Sequence, residues 1–145
     1  MVAIGSMAVD DLREAFLLGN DAWAGLAMPF PGMAWDEEIF AALYHKNPWY
    51  CIVAKRKNRL LGFIIGGEGG STGEGYLLWC AIRPHHGSGK TVTDMYNLLA
   101  SRMRERGARR IVLLDTIPDQ TVLDSLLEAG LLPDKTLRRW AAWLD

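Results

Sequence analysis

Tyr76-Leu77-Leu78-Trp79-Cys80-Ala81-Ile82, then Arg83-Pro84-His85-His86-Gly87-Ser88-Gly89-Lys90-Thr91, then Val92 through Arg106: this run decides the fold. Its first part is an apolar stretch of strand character that ends ahead of Pro84. Its last part places Val92, Met95, Tyr96, Leu99 and Met103 at the spacing of one helix face, and Gly107 stops it. Between them lies a turn carrying Gly87 and Gly89. Glycines in such a turn let backbone N–H groups converge as a nest, and the following helix adds the positive end of its dipole. An anion there gains on the order of 0.3–1 kcal/mol from the dipole, and up to about 2 kcal/mol where partly buried. Lys90, His85 and His86 can add positive charge. Strand, glycine turn and helix in this order describe a phosphate site without saying which phosphate.

Upstream, Met1–Val9 reads as a first strand, and Asp10 or Asp11 offers an N-cap for a helix through Leu12, Ala15, Phe16 and Gly19. The apolar stretch Trp23–Trp35 holds two prolines and two glycines, which forbid one continuous helix. Asp36 caps a second helix, with Ile39, Phe40 and Leu43 on one face and Glu37 and Glu38 in the first turn, where the dipole favours carboxylates. Trp49–Lys55 and Leu60–Gly66 read as strands joined by the basic turn Arg56-Lys57-Asn58-Arg59, and Gly66–Gly75 as a loose connection to the third apolar run. Downstream, Ile111–Leu114 has the character of a buried strand. Thr121 and Asp124 suit a capping box for a helix through Leu123, Leu126 and Leu127 that ends at Gly130. Leu137–Leu144 is expected as a last strand, although Trp140 and Trp143 also suit a helix.

No linker divides the chain, so one mixed α/β domain over residues 1–145 is expected. Half of the 145 residues are apolar, and a chain of this size buries roughly two thirds of its unfolded surface, so neither a disulfide nor a metal is needed to hold it. The formal net charge of −1 offers no general attraction to nucleic acid or to an anionic membrane. Any anion site must therefore be local. Cys51 and Cys80 sit inside apolar runs without metal-site spacing, the ordinary setting of buried thiols. No leader-like start and no long apolar segment is visible, and a soluble cytoplasmic protein is expected.

Two families place phosphates on this arrangement. Pro84-His85-His86-Gly87-Ser88-Gly89-Lys90-Thr91 nearly matches the P-loop pattern G-x-x-x-x-G-K-[ST], and Arg110–Asp115 imitates the strand whose aspartate holds magnesium. Proline replaces the first glycine, however, and too little chain follows for the parallel sheet that site needs. The order strand, two helices, three strands, helix, strand, helix, strand resembles the GNAT superfamily of acyl-CoA N-acyltransferases from Met1 to Leu144. The family's signature Q/R-x-x-G-x-G/A falls on His86-Gly87-Ser88-Gly89-Lys90-Thr91, preceded by a similar strand exit at Ile82-Arg83-Pro84. Leu126-Leu127-Glu128-Ala129-Gly130-Leu131 is similar to its Y-E-K-x-G-F ending. Four positions depart: His86 for Arg or Gln, Thr91 for Gly or Ala, Asp119 for Asn, and Leu126 for the Tyr that often serves as general acid.

The resemblance implies a mostly antiparallel sheet splayed between its fourth and fifth strands, with acetyl-CoA or another acyl-CoA as co-substrate in the splay and no metal. It implies contacts to acyl-CoA from Ala81, Ile82, Arg83, His86, Gly87, Ser88, Gly89, Lys90 and Thr91, with N–H groups around Cys80–Ile82 holding the thioester carbonyl. It implies direct attack by a primary amine of a small molecule or peptide, with Glu74 or Asp115 as candidate base. Each carboxylate also reads as an ordinary solvated strand end. A Cβ at Gly89 is expected to intrude on the pyrophosphate or to force a disallowed φ. Trp23–Trp35 reads as an acceptor wall, as core, or as a homodimer contact. Acyl-CoA or partner binding without turnover stands as the alternative.

Overall fold

The structure is a computed structural model that describes residues 1–23, 35–68, 73–113 and 119–131. Its elements run β1 (Ala3–Ser6), α1 (Leu12–Trp23), α2 (Glu37–Lys46), β2 (Cys51–Arg56), β3 (Arg59–Glu68), β4 (Glu74–Ile82), α3 (Ser88–Glu105), β5 (Arg110–Leu113) and α4 (Gln120–Glu128). The strands form one sheet in the order β1-β2-β3-β4-β5. Neighbours pair antiparallel from β1 to β4, and β5 joins β4 in parallel. This is the mixed α/β architecture expected from the order of elements.

Local chemistry explains where the elements begin and end. Asp36 caps α2 by accepting the N–H groups of Glu38 at 3.1 Å and Ile39 at 3.2 Å. The β2–β3 turn is a two-residue hairpin with positive φ at Lys57 (50°) and Asn58 (65°), the twist that suits a right-handed ribbon. Gly107, at φ 90°, ends α3 as expected.

Several expected boundaries move. The first strand is only Ala3–Ser6, because Val9–Asp11 forms a 3₁₀ turn in which Asp11 reaches back to the Ala8 N–H at 2.8 Å. Pro48 starts another such turn, Pro48–Tyr50, so Trp49 lies outside β2. The cap of α4 is Asp119, whose Oδ1 accepts the Val122 N–H at 3.1 Å; Thr121 lies inside the helix and Asp124 takes a hydrogen bond from Gln120 at 2.7 Å. Leu137–Leu144 and residues 24–34 fall outside the described residues.

The sheet buries both faces. On one, α3 and α4 cover Ile52, Ala54, Leu61, Ile64, Leu77, Cys80 and Ile82 with Val92, Met95, Leu99, Met103, Val122 and Leu126. On the other, α1 and α2 cover Val53, Phe63, Ile65, Leu78, Trp79 and Ala81. An aromatic cluster forms there: Trp35 stacks on Phe16 at 5.1 Å and meets Phe40 and Trp79 edge-on, each at 5.0 Å. Trp35 thus takes the core role among the readings open for its stretch.

Candidate functional site

β4 carries two irregularities that prepare it for a ligand. The first is a bulge. Ile65 pairs with Trp79 and Gly66 with Leu77, so the register shifts by one residue at Leu78. Leu78 and Trp79 therefore both face α1 and α2, where strict alternation would send them to opposite faces. The second is an open edge. Pairing with β5 covers Glu74 to Leu77, and at Cys80 to Ile82 β4 has no strand partner on that side among the described residues.

The direction of the free backbone groups follows from the ladder. Arg83 donates its N–H to the Leu61 carbonyl at 2.6 Å. Antiparallel alternation then turns the N–H groups of Trp79 and Ala81 toward β3, and those of Cys80 and Ile82 toward the open edge. The edge thus offers hydrogen-bond donors at Cys80 and Ile82, within the segment expected to hold a carbonyl.

The first turn of α3 lies directly after this edge. Gly87 is its N-cap, at φ 87° and ψ 16°, a left-handed conformation that costs glycine little. Ser88 locks the loop: its Oγ accepts the His85 N–H at 2.8 Å and donates to the His85 carbonyl at 2.7 Å. The N–H groups of Ser88 and Thr91 go to the His85 and Gly87 carbonyls. Those of Gly89 and Lys90 have no partner among the described residues and are free for an anion. Of the two constraints considered for Gly89, a disallowed φ does not apply there: the positive φ belongs to Gly87. Gly89 is helical, and a Cβ there would lie 3.3 Å from Ser125 Oγ on α4, a tight approach of the two helices.

The remaining expected site residues are placed as follows. His86 is exposed, and its carbonyl accepts from His85 Nδ1 at 2.7 Å. The buried Nε2 of His85 has no hydrogen-bond partner among the described residues. Lys90 is exposed and forms an ion pair with Asp94 at 2.7 Å, a weak contact one helical turn along. Thr91 is buried and donates to the Gly87 carbonyl. Arg83 turns toward α1, donating to the Leu60 carbonyl at 3.3 Å and lying 3.8 Å from Glu14.

Glu74 stands at the closed end of the β4–β5 pair, where it meets Arg110 at 3.3 Å. Four residues, about 13 Å of strand, separate it from Leu78. Asp115 lies outside the described residues. Leu126 is fully buried in the α3–α4 core. Burial, and then the nearby Asp119 carboxylate, push the Cys80 thiol up, so it stays neutral and unreactive.

An open strand edge with inward N–H groups, running into a helix start with free amides, fits an elongated ligand ending in a phosphate. A five-strand, mostly antiparallel sheet with β5 parallel to β4, flanked by helices, is the architecture of a GNAT-type acyltransferase fold. The family model described as Acetyltransferase (GNAT) family matches residues 20–130, and the chain belongs to that family. Solved structures agree on the fold. Ard1 from Thermoplasma volcanium aligns with a TM-score of 0.69 at 16% identity, over 92% of this chain and 84% of that one. YncA from Salmonella typhimurium, a putative acetyltransferase with its cofactor acetyl-CoA, aligns at 0.68 and 14% identity, over 90% and 79%. The ribosomal-protein-S18-alanine N-acetyltransferase of Escherichia coli aligns at 0.63 and 20% identity, over 90% and 77%. No curated protein sequence matches. Among the described residues, no group of three or more metal-ligating side chains occurs, and no helix is long and apolar enough to cross a membrane.

Proposed function

We infer that this chain transfers an acetyl or other short acyl group from acyl-CoA to a primary amine. One observation carries the reading: the open edge of β4 leads without a break into free amides at the start of α3. Acyl-CoA has the matching order, a thioester at one end of an amide-bearing arm and a pyrophosphate at the other. The amides of Gly89 and Lys90 would hold the pyrophosphate, with Gly87 and Ser88 shaping the loop. The N–H groups of Cys80 and Ile82 would hold the thioester oxygen, where negative charge develops as the amine attacks.

The acyl-CoA supplies an activated carbonyl. The amine nitrogen forms a bond to the carbonyl carbon, the carbon–sulfur bond breaks, and the CoA thiolate leaves. A proton passes from the nitrogen to a base, for which Glu74 and Asp115 are the candidates, directly or through water. A thiolate is a good leaving group, so a side-chain acid at position 126 is dispensable. The neighbours suggest an acceptor of the type named for the E. coli enzyme, an alanine of a ribosomal protein, or a smaller amine. A cytoplasmic setting, where thiols stay reduced, suits buried Cys51 and Cys80.

Binding without turnover is the second reading. It draws on Leu126, which leaves no proton donor where the family often has one. A thermal-shift series with acetyl-CoA, CoA and Mg-ATP, followed by thiol release from acetyl-CoA with an amine panel, separates the cases. At a hundredfold excess over its dissociation constant a ligand adds about 2.7 kcal/mol, several degrees in melting temperature. Acetyl-CoA is expected to stabilise the protein and Mg-ATP is not. The opposite pattern overturns the reading and returns the P-loop, whereas stabilisation by acetyl-CoA with no thiol release leaves binding alone.

A further inference from the structure

The basic β2–β3 turn, Arg56-Lys57-Asn58-Arg59, has no part in the site described so far. Other cations at this end of the molecule are matched. Lys55 meets Asp11 at 2.6 Å, Arg83 lies 3.8 Å from Glu14, and Lys90 meets Asp94 at 2.7 Å. Arg56, Lys57 and Arg59 pair with no carboxylate among the described residues. Arg56 and Arg59 are moreover direct cross-strand partners. Like charges placed opposite each other destabilise a strand pair, and an anion held between them turns that cost into attraction.

Alternation fixes the face that the two arginines share. Leu60, opposite Lys55, packs in the α1–α2 core, and Leu61 packs in the α3–α4 core. Arg59 and its partner Arg56 therefore project on the α3–α4 side. The start of α3 stands near them. A Cβ on Gly66 would lie 2.9 Å from Leu99, which places that turn of α3 over the far end of β3. From Leu99 back to Ser88 the helix covers about 16 Å, and β3 covers about the same from Gly66 back to Leu61. Chain direction agrees, because β4 feeds the loop into α3 from Ile82, opposite Gly62. Arg59 lies two residues, about 7 Å of strand, beyond Leu61, a distance that an arginine side chain spans.

We propose that Arg56 and Arg59 hold the ribose 3′-phosphate of the acyl-CoA, a second anion site beside the amides of Gly89 and Lys90. This rests on the acyl-CoA reading of that turn. The 3′-phosphate is joined to the pyrophosphate by a single ribose, so an anchored pyrophosphate keeps it close to the start of α3. It is a monoester with nearly two negative charges at neutral pH, more than either phosphorus of the pyrophosphate carries. Two guanidinium groups match it in charge and in their planar, paired donors. The arginines thus select CoA over dephospho-CoA, which differs only in lacking that group.

Calorimetric titration of the full chain with CoA and with dephospho-CoA tests this, beside thermal melts, for the wild type and for Arg56→Gln with Arg59→Gln. The wild type is expected to bind CoA at least tenfold more tightly, with the gap narrowing as salt rises. The double variant is expected to melt no lower, to bind dephospho-CoA within twofold of wild type, and to lose most of the gap. Equal wild-type affinity for the two ligands overturns the proposal and leaves acyl-CoA binding intact. A double variant that keeps the gap also overturns it, because the 3′-phosphate is then held elsewhere. Equal loss of affinity for both ligands overturns it too, since the arginines then serve the pyrophosphate or the fold. A wild type that binds neither ligand removes the acyl-CoA reading and this site together.

Discussion

Gly87 and Gly89 stand two residues apart, and substituting each with alanine should have opposite consequences. Gly87 holds φ at 87° with open space where a Cβ would be. Gly87→Ala therefore meets no clash, and its cost is purely conformational, about 1–2 kcal/mol for an L-residue in the left-handed region. For a chain of this size that lowers the melting temperature by a few degrees. Gly89 is helical, so alanine there gains up to about 1 kcal/mol of helix propensity. That gain is offset by a Cβ 3.3 Å from Ser125 Oγ, which is tethered to the Thr121 carbonyl at 2.9 Å. Stability should be nearly unchanged. The new methyl, however, is carried by the residue whose free amide, with that of Lys90, would hold the pyrophosphate in the proposed reading. Calorimetric titration with CoA, run beside thermal melts, is expected to show at least a tenfold weaker Kd for Gly89→Ala, about 1.4 kcal/mol. Gly87→Ala should lose stability with a much smaller change in Kd. A folded Gly89→Ala protein that binds CoA within twofold of wild type would falsify the placement of the pyrophosphate on this turn.

Three further outcomes are expected. Leu126→Tyr forces a ring and a hydroxyl into a fully buried site and should destabilise by about 1–3 kcal/mol without raising turnover; a stable, faster variant would mean that residue 126 reaches the thioester. Glu74→Gln and Asp115→Asn, measured separately across pH with acetyl-CoA affinity as the control, should identify the base as the variant whose rate no longer rises with pH; full turnover in both means solvent takes the proton. Burial pushes the Cys51 thiol up to about 12 from 9.0, so between these values the unfolded chain binds fewer protons than the folded one and stability falls as pH rises. Cys51→Ala, which cannot ionise, should show a shallower decline in denaturant melts over that range, and an equal slope would contradict the assignment.

The order of the described elements and the glycine turn at the start of α3 were legible in the sequence because each rests on local chemistry. Apolar period marked β4 and α3, Asp36 announced α2, Gly107 and Gly130 closed their helices, and two glycines beside a helix start pointed to an anion. These signals act within one or two turns of chain, so they survive in a linear reading. What failed was local in a different way: Pro48 and Asp11 built 3₁₀ turns whose hydrogen bonds no periodicity displays, and Asp119 took the capping role that Thr121 had been expected to fill. The surroundings of the candidate site depend on contacts between distant segments. The bulge at Leu78 exists because β3 and β4 pair in a particular register, and it sets Leu78 and Trp79 on the same face. Leu126 faces the core rather than the edge because α4 packs on α3, and the same packing, not a positive φ, is what crowds Gly89. Which way a side chain faces depends on the partner strand and on the layers above and below, and a sequence carries that information only through the fold.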